Sequence, residues 1–125
     1  MIYINNDNRT KCIIGENAAA EYYVSLGYEI IERNWRFGHI GELDVIVFDK
    51  NSDLLIICEV KARSKSRYFR PSDSVDRKKK NKILKLANAF LYKNRKYLNC
   101  NVRFDVIEVV IDGNILNLNC IENAF

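Results

Sequence analysis

Three polar residues stand out in the most apolar stretch of the chain, GELDVIVFDKNSDLLIICEVKAR over residues 41–63: Asp44, Glu59 and Lys61. Their flanks read as two strands, Leu43–Asp49 and Leu54–Lys61, joined by the turn residues Asn51-Ser52-Asp53. Both strands are almost continuously apolar in their middles, as strands buried on both faces are. Glu59 and Lys61 are two apart and share a strand face, and a hairpin of this length carries Asp44 opposite the end of the second strand. Two carboxylates and an ammonium therefore gather at one rim of an apolar sheet. Unpaired carboxylates in a low-dielectric site cost several kcal/mol, and two side by side drive one towards protonation. A divalent cation answers both problems, and oxygen donors at this spacing suit Mg²⁺, which keeps most of its waters. On residue types alone a structural ion pair, or simple exposure of the strand ends, explains the triplet equally well.

The surrounding elements must place these groups. Met1–Thr10, with its Asn-Asn-Asp-Asn run, reads as a frayed arm. A helix is expected from about Gly15 to Leu26, favoured by Ala18, Ala19 and Ala20 and closed by Gly27 in a left-handed cap. Ala19, Tyr23 and Leu26 lie along one side, headed by Glu16. That carboxylate either favours the helix N-terminus or points at the rim cluster, and the pattern leaves both open. Tyr28–Trp35 alternates as a strand, and the turn Phe37-Gly38-His39-Ile40-Gly41 leads into the hairpin. His39, the only histidine, reads as an ordinary loop residue close to the site. A polar loop follows Arg63. A second helix is expected from an N-cap at Ser74 or Asp76 to about Tyr97, with Ile83, Ala87, Phe90 and Leu91 as its buried stripe. Val102–Ile111 is a further strand, turned at Asp112-Gly113-Asn114 towards a short partner, Ile115–Cys120.

With 125 residues, 48% of them apolar, the chain suits one globular domain. No apolar run is long enough to cross a bilayer and no signal-peptide pattern opens it, so a cytoplasmic protein without membrane contact is expected. Cys12, Cys58, Cys100 and Cys120 lack paired spacing and read as reduced, mostly packed thiols. The net charge of +4 is unevenly spread: residues 1–60 hold five Lys/Arg against ten Asp/Glu, and residues 61–125 hold fifteen against six. A concentrated basic stretch beside a carboxylate cluster suits a polyanion. Arg63, Lys65, Arg67, Arg70, Arg77, Lys78, Lys79 and Lys80 are the candidate phosphate contacts, with Tyr68 and Phe69 placed to stack on bases. A solvated helix face is the plainer reading of the same charges. The cations Arg77–Lys80 open a helix, against its macrodipole, which makes sense if they meet an anion.

Asp44 followed by Glu59-Val60-Lys61, in an αβββαβ order, resembles the PD-(D/E)XK nuclease superfamily and its restriction-endonuclease-like fold. The chain resembles the YraN family of small bacterial proteins more closely. That likeness runs from Gly15-Glu16 through Gly27-Tyr28, Asn34-Trp35-Arg36, Gly41-Glu42-Leu43-Asp44, Glu59-Val60-Lys61, Lys79 and Phe104-Asp105-Val106 to Glu122-Asn123-Ala124-Phe125. Asp44 stands in a GELD context, without the proline of the superfamily's name. The resemblance implies an α/β sandwich with a central mixed sheet flanked by helices, and a Mg²⁺- or Mn²⁺-dependent endonuclease. Its substrate would be nucleic acid, DNA in preference to RNA, including branched or repair intermediates. It implies that Asp44, Glu59 and the backbone carbonyl of Val60 hold the metal, and that Lys61 positions water and stabilises charge on the phosphate. Glu16 matches the helix acid of related nucleases, notably archaeal Holliday-junction resolvases. Cleavage of duplex or junctions would favour a homodimer. Two rival expectations are a non-catalytic nucleic-acid-binding module and an assembly protein whose basic helix docks an acidic surface.

Overall fold

A computed structural model describes residues 8–65 and 75–125. Helix α1 (Asn8–Ser25) precedes three strands, β1 (Glu29–Phe37), β2 (Gly41–Asp49) and β3 (Leu54–Ser64). Helix α2 (Arg77–Lys93) and a 3-10 turn (Arg95–Tyr97) lead into β4 (Asn101–Asp112) and β5 (Ile115–Ile121). The five strands form one sheet in the order β1-β2-β3-β4-β5. Only β3 and β4 run parallel, because α2 lies between them in sequence and returns the chain to the same end; every other neighbour is antiparallel. This is the mixed α/β architecture expected, consistent with a restriction-endonuclease-like fold.

The apolar middles of β2 and β3 are buried on both faces, as their composition required. Leu55 and Ile57 enter a core with Ile83, Leu86, Ala87 and Phe90 of α2. Ile56 and Cys58 enter the opposite core, with Ala19 and Tyr23 of α1. The helices thus cover opposite faces, and successive residues of β3 address them in turn. At the β2–β3 turn the Asp49 carboxylate accepts the amide of Asn51 at 3.1 Å and the hydroxyl of Ser52 at 2.6 Å. That closure sets the register Val45↔Cys58 to Asp49↔Leu54.

Several boundaries differ from expectation for local reasons. α1 begins at Asn8, inside the arm that read as frayed; residues 1–7 lie outside the described chain. Gly15 suggested a helix start, but it is an interior contact: a Cβ there would stand 2.7 Å from Ala62 Cβ and 3.3 Å from Val60 Cγ1. Without a side chain, α1 lies directly on β3. Gly27 closes the helix as expected, at φ +87, with Tyr28 N–H reaching Tyr23 O and Gly27 N–H reaching Val24 O. Leu26 falls beyond the last turn and is exposed rather than packed. β1 extends to Phe37 and carries a register shift between Ile30 and Glu32, which breaks the simple alternation read along it. Asp76 caps α2 by accepting Lys79 N–H at 2.8 Å, but the helix stops at Lys93 and not at Tyr97. Asn94 ends it by turning its own side chain back onto Phe90 O.

Gly15→Ala weighs two opposed effects. Alanine gains up to about 1 kcal/mol of helix propensity, while overpacking against a central strand costs about 1–3 kcal/mol. Because the near atoms belong to the backbone-anchored Ala62, the clash wins. Urea melts should show a net loss of about 1–2 kcal/mol, mostly recovered in Gly15→Ala/Ala62→Gly.

Candidate functional site

The β2–β3 ladder ends at Val45↔Cys58, and the next residues on the two strands are Asp44 and Glu59. Apolar packing of the hairpin therefore brings the two carboxylates to one rim, as their spacing predicted. Asp44 Oδ2 accepts the Val60 amide at 2.9 Å, which ties its side chain to β3. Glu59 is only 9% exposed and shares the α2-facing side of β3 with Leu55 and Ile57. Its Oε1 is in direct contact with Nζ of Lys79, from the first turn of α2.

Two clefts meet at this rim, sharing Asp44 and Glu42. The smaller, about 160 Å³, is lined also by Glu59, Lys79, Lys82, Ile83 and Leu86. The larger, about 470 Å³, opens towards α1 past Arg9, Cys12, Ile13, Glu16 and Asn34. Glu16 lies in the middle of α1 and is 9% exposed, so the N-terminal reading of this residue fails and the rim reading holds. Asn34, held at φ +52 on β1, supplies its partner: with the amide nitrogen turned to the carboxylate it donates at 2.8 and 3.1 Å. Glu42, the fourth acid of the rim, is held by Arg36 at 2.9 Å.

Burial and mutual repulsion dominate the electrostatics. Asp44 is pushed up to about 7, first by burial and then by Glu59 and Glu16; the Val60 amide and Lys79 act against the rise. Burial also raises Glu16, against the hydrogen bond from Asn34. Cys12, exposed at the mouth of the larger cleft, is raised by its partial burial and by the acids nearby, which keeps it a thiol. Burial works against the charge of Lys79, but Glu59 and Asp44 more than offset it and raise its pKa.

The remaining candidates separate. Lys61 is half-buried on the same strand side as Glu59, level with Glu108 of β4. Arg63 is half-buried near the end of β3, and the exposed Lys65 pairs with Asp112 at 3.3 Å. Arg77 and Lys78 are exposed, whereas Lys80 lies over the Phe125 ring, 5.7 Å from its centroid. His39 is exposed in its turn. Arg67 and Arg70, with Tyr68 and Phe69, lie outside the described residues. Sequence reasoning missed two features. Lys79 read as a phosphate contact, yet it meets the acidic rim. Asp105, wholly buried, accepts Tyr23 Oη at 2.8 Å, Arg103 Nε at 2.9 Å and the Asn123 amide at 3.1 Å. An Asp two residues after Arg103 at the start of the apolar run of β4 was the available signal for this second network.

Among the described residues, no three His, Cys, Asp or Glu side chains converge as a preassembled metal cage. The donor set nevertheless fits a hard cation that keeps most of its waters: two crowded carboxylates at a rim open to solvent. The mixed sheet with helices on both faces and an acidic rim where the pairing of the second and third strands ends define the class, an α/β domain consistent with a restriction-endonuclease-like architecture. Residues 15–109 match the model of the Uncharacterised protein family UPF0102. The chain belongs to this family, known also as YraN. It is 38% identical to a UPF0102 protein of Acetivibrio thermocellus, with 96% of this chain and 94% of the relative aligned. It is 40% identical to one from Clostridium botulinum strain 657, covering 100% and 98%, and 36% identical to one from Natranaerobius thermophilus, covering 87% and 90%. No described helix is long and apolar enough to cross a membrane.

A carboxyl held at about 7 is protonated in the folded chain over a range where the unfolded chain has already ionised. The folded state then binds more protons than the unfolded one, and this group lowers stability as pH rises from about 4 to 7. Asp44→Asn keeps the acceptor for Val60 N–H and removes the charge. In chelator, it should exceed wild type in stability by an amount that grows across that range to about 2 kcal/mol at pH 8, discounted because solvent reaches the cleft. Thermal melts at several pH values check this.

Proposed function

We propose that the protein is a Mg²⁺- or Mn²⁺-dependent nuclease that hydrolyses phosphodiester bonds within nucleic acid. One observation carries this reading. Asp44 and Glu59 are forced together at a solvent-open rim with more negative charge than their own hydrogen bonds satisfy, at the edge of a basic helix start. A protein that needed only a stable rim would fare as well with one apolar residue in either position.

In this reading Asp44, Glu59 and the Val60 carbonyl hold the metal. When bound, it supplies Lewis acidity towards the phosphate and a water of lowered pKa. The chain's own groups do the rest. Lys61, expected from the motif, and Lys79, placed at Glu59 by the fold, bring positive charge to the phosphate as charge builds in the transition state. Glu16, fixed by Asn34 on the far side of Asp44, orients water in the larger cleft. Arg77 and Lys78, exposed on the first turn of α2, contact backbone phosphates beyond the cut. DNA is the proposed polymer, and branched or repair intermediates the proposed forms, by the likeness to junction-resolving nucleases. A second reading, a nucleic-acid-binding module without catalysis, draws on one specific contact: Lys79 already gives Glu59 a counter-ion without a metal.

Labelled single-stranded, duplex, flapped and junction DNA, with RNA counterparts, separates the two readings when incubated with Mn²⁺ or Mg²⁺ and with chelator. The nuclease reading expects metal-dependent internal cuts in at least one substrate; binding with no cut in any would favour the module. Lys61→Met and Lys79→Met keep most of each stem. Single-turnover cleavage should fall about a hundredfold or more in the variant whose ammonium meets the transition state, with binding little changed. If both variants cut at the wild-type rate, neither lysine has the assigned role.

Neutralising Arg77 and Lys78 together should weaken binding about equally across sequences. It should also flatten the log–log salt dependence by roughly one unit for each phosphate no longer neutralised. An unchanged slope would place this turn away from the nucleic acid.

A further inference from the structure

The sheet ends in two edges that are built differently. β1 carries Glu29, Glu32, Arg33 and Arg36 among its nine residues, and a register shift bends it. Charges and irregularities of this kind discourage another strand from adding to an edge. β5 has neither. Its sequence, Ile115-Leu116-Asn117-Leu118-Asn119-Cys120-Ile121, holds no charge and no proline, and its pairing with β4 is unbroken from Asp112↔Ile115 to Val106↔Ile121. Ile115, Leu116 and Ile121 are 62%, 44% and 41% exposed. The outward amides and carbonyls of β5 therefore line a regular edge flanked by apolar side chains.

We infer that β5 pairs antiparallel with β5 of a second copy of this chain, about a two-fold axis beside Leu118, extending the five-stranded sheet into a ten-stranded one. Self-complementarity points to a second copy as the occupant. Along one face of β5 the residues read Ile115, Asn117, Asn119, Ile121, and this order is unchanged on reversal. About Leu118, Ile115 of one copy faces Ile121 of the other, and Asn117 faces Asn119. On the opposite face Leu118 meets its own counterpart and Leu116 meets Cys120. Apolar side chains face apolar ones, and amides face amides.

Polarity rejects the neighbouring registers. An axis at Asn117 sets Ile115 against Asn119 and Ile121 against Gly113 of the β4–β5 turn, losing both apolar pairs. An axis at Asn119 sets Ile115 against Asn123 and Ile121 against Asn117, losing both apolar pairs. A strand pair of this length is a small interface, so the association belongs to the weak, concentration-dependent range. The axis runs normal to the sheet, so both α2-side clefts would open on the same face of the assembly. The pairing itself does not depend on the proposed nuclease activity.

Sedimentation velocity on the full chain tests it. Wild type should pass from monomer to dimer as concentration rises towards the order of 0.5 mM. Asn117→Lys/Asn119→Lys places ammonium opposite ammonium at positions already exposed, so its melting curve should match wild type while dimerisation weakens at least about tenfold. Asn117→Glu/Asn119→Glu should do the same alone. An equimolar mixture of the two variants should restore the dimer, a result that pairing elsewhere on the surface would not give. A wild type that stays monomeric throughout would overturn the inference and leave the edge to a strand from another protein. A dimer that survives both variants would overturn it as well.

Discussion

The repulsion between Asp44 and Glu59 is the constraint on which the rest of the site depends. Residues 45–47 of β2 and 55–58 of β3 are fully buried in the two cores, so the hairpin cannot slide or splay to relieve it. A one-residue slip would turn every one of these side chains to the wrong core. At an effective dielectric of about 20, two like charges a few ångströms apart cost a few kcal/mol, comparable with a sizeable part of a domain's stability. The surrounding structure reads as a set of partial answers. The Val60 amide binds Asp44, Lys79 reaches Glu59, and Asn34 takes up Glu16. None removes the excess, and burial first, then the neighbouring acids, hold Asp44 up at about 7.

Asp105 shows what a completed answer looks like. It is buried more deeply than any rim acid, yet a tyrosine hydroxyl, a two-pronged arginine and a backbone amide all donate to it. The Arg103 guanidinium is held firmly charged by this contact. That network ties α1, β4 and the turn after β5 together, and it has no opening onto either cleft. Among the described residues Asp44 accepts the Val60 amide, and Glu42, Glu59 and Glu16 stand around it with Lys79 and Lys82. The same side chain is structural where its lone pairs are used up, and available for chemistry where they are not.

Much of this was legible in the sequence because it is local. The hairpin register follows from apolar runs of matching length about Asn51-Ser52-Asp53. The Gly27 cap and the Asp76 N-cap follow from residue type and position. What could not be read depends on contacts between distant segments. Gly15 made the expected helix begin too late because its purpose, room for β3, lies 47 residues further on, at Ala62. Lys79 was one of four similar cations. Only the rotation of α2, set by Ile83, Leu86 and Phe90 in the core, decides that Lys79 meets Glu59 while Lys80 turns to Phe125. The anion that the basic helix start called for belongs, for that one residue, to the protein itself. Glu16 was left between two readings because its place depends on how far α1 extends ahead of it, and that extension was hidden behind the same glycine.

In the proposed function the Asp44–Glu59 pair takes a divalent cation, and Lys79 alone does not answer it. Calorimetric titration of Mn²⁺ into the wild-type chain, Asp44→Asn and Glu59→Gln tests it most directly, because it reads the pair without requiring a substrate. The wild type should show one site, and each variant should bind at least about tenfold more weakly, since each removes a ligand rather than a supporting group. Equal binding in all three proteins, or none in the wild type at millimolar metal, would contradict it.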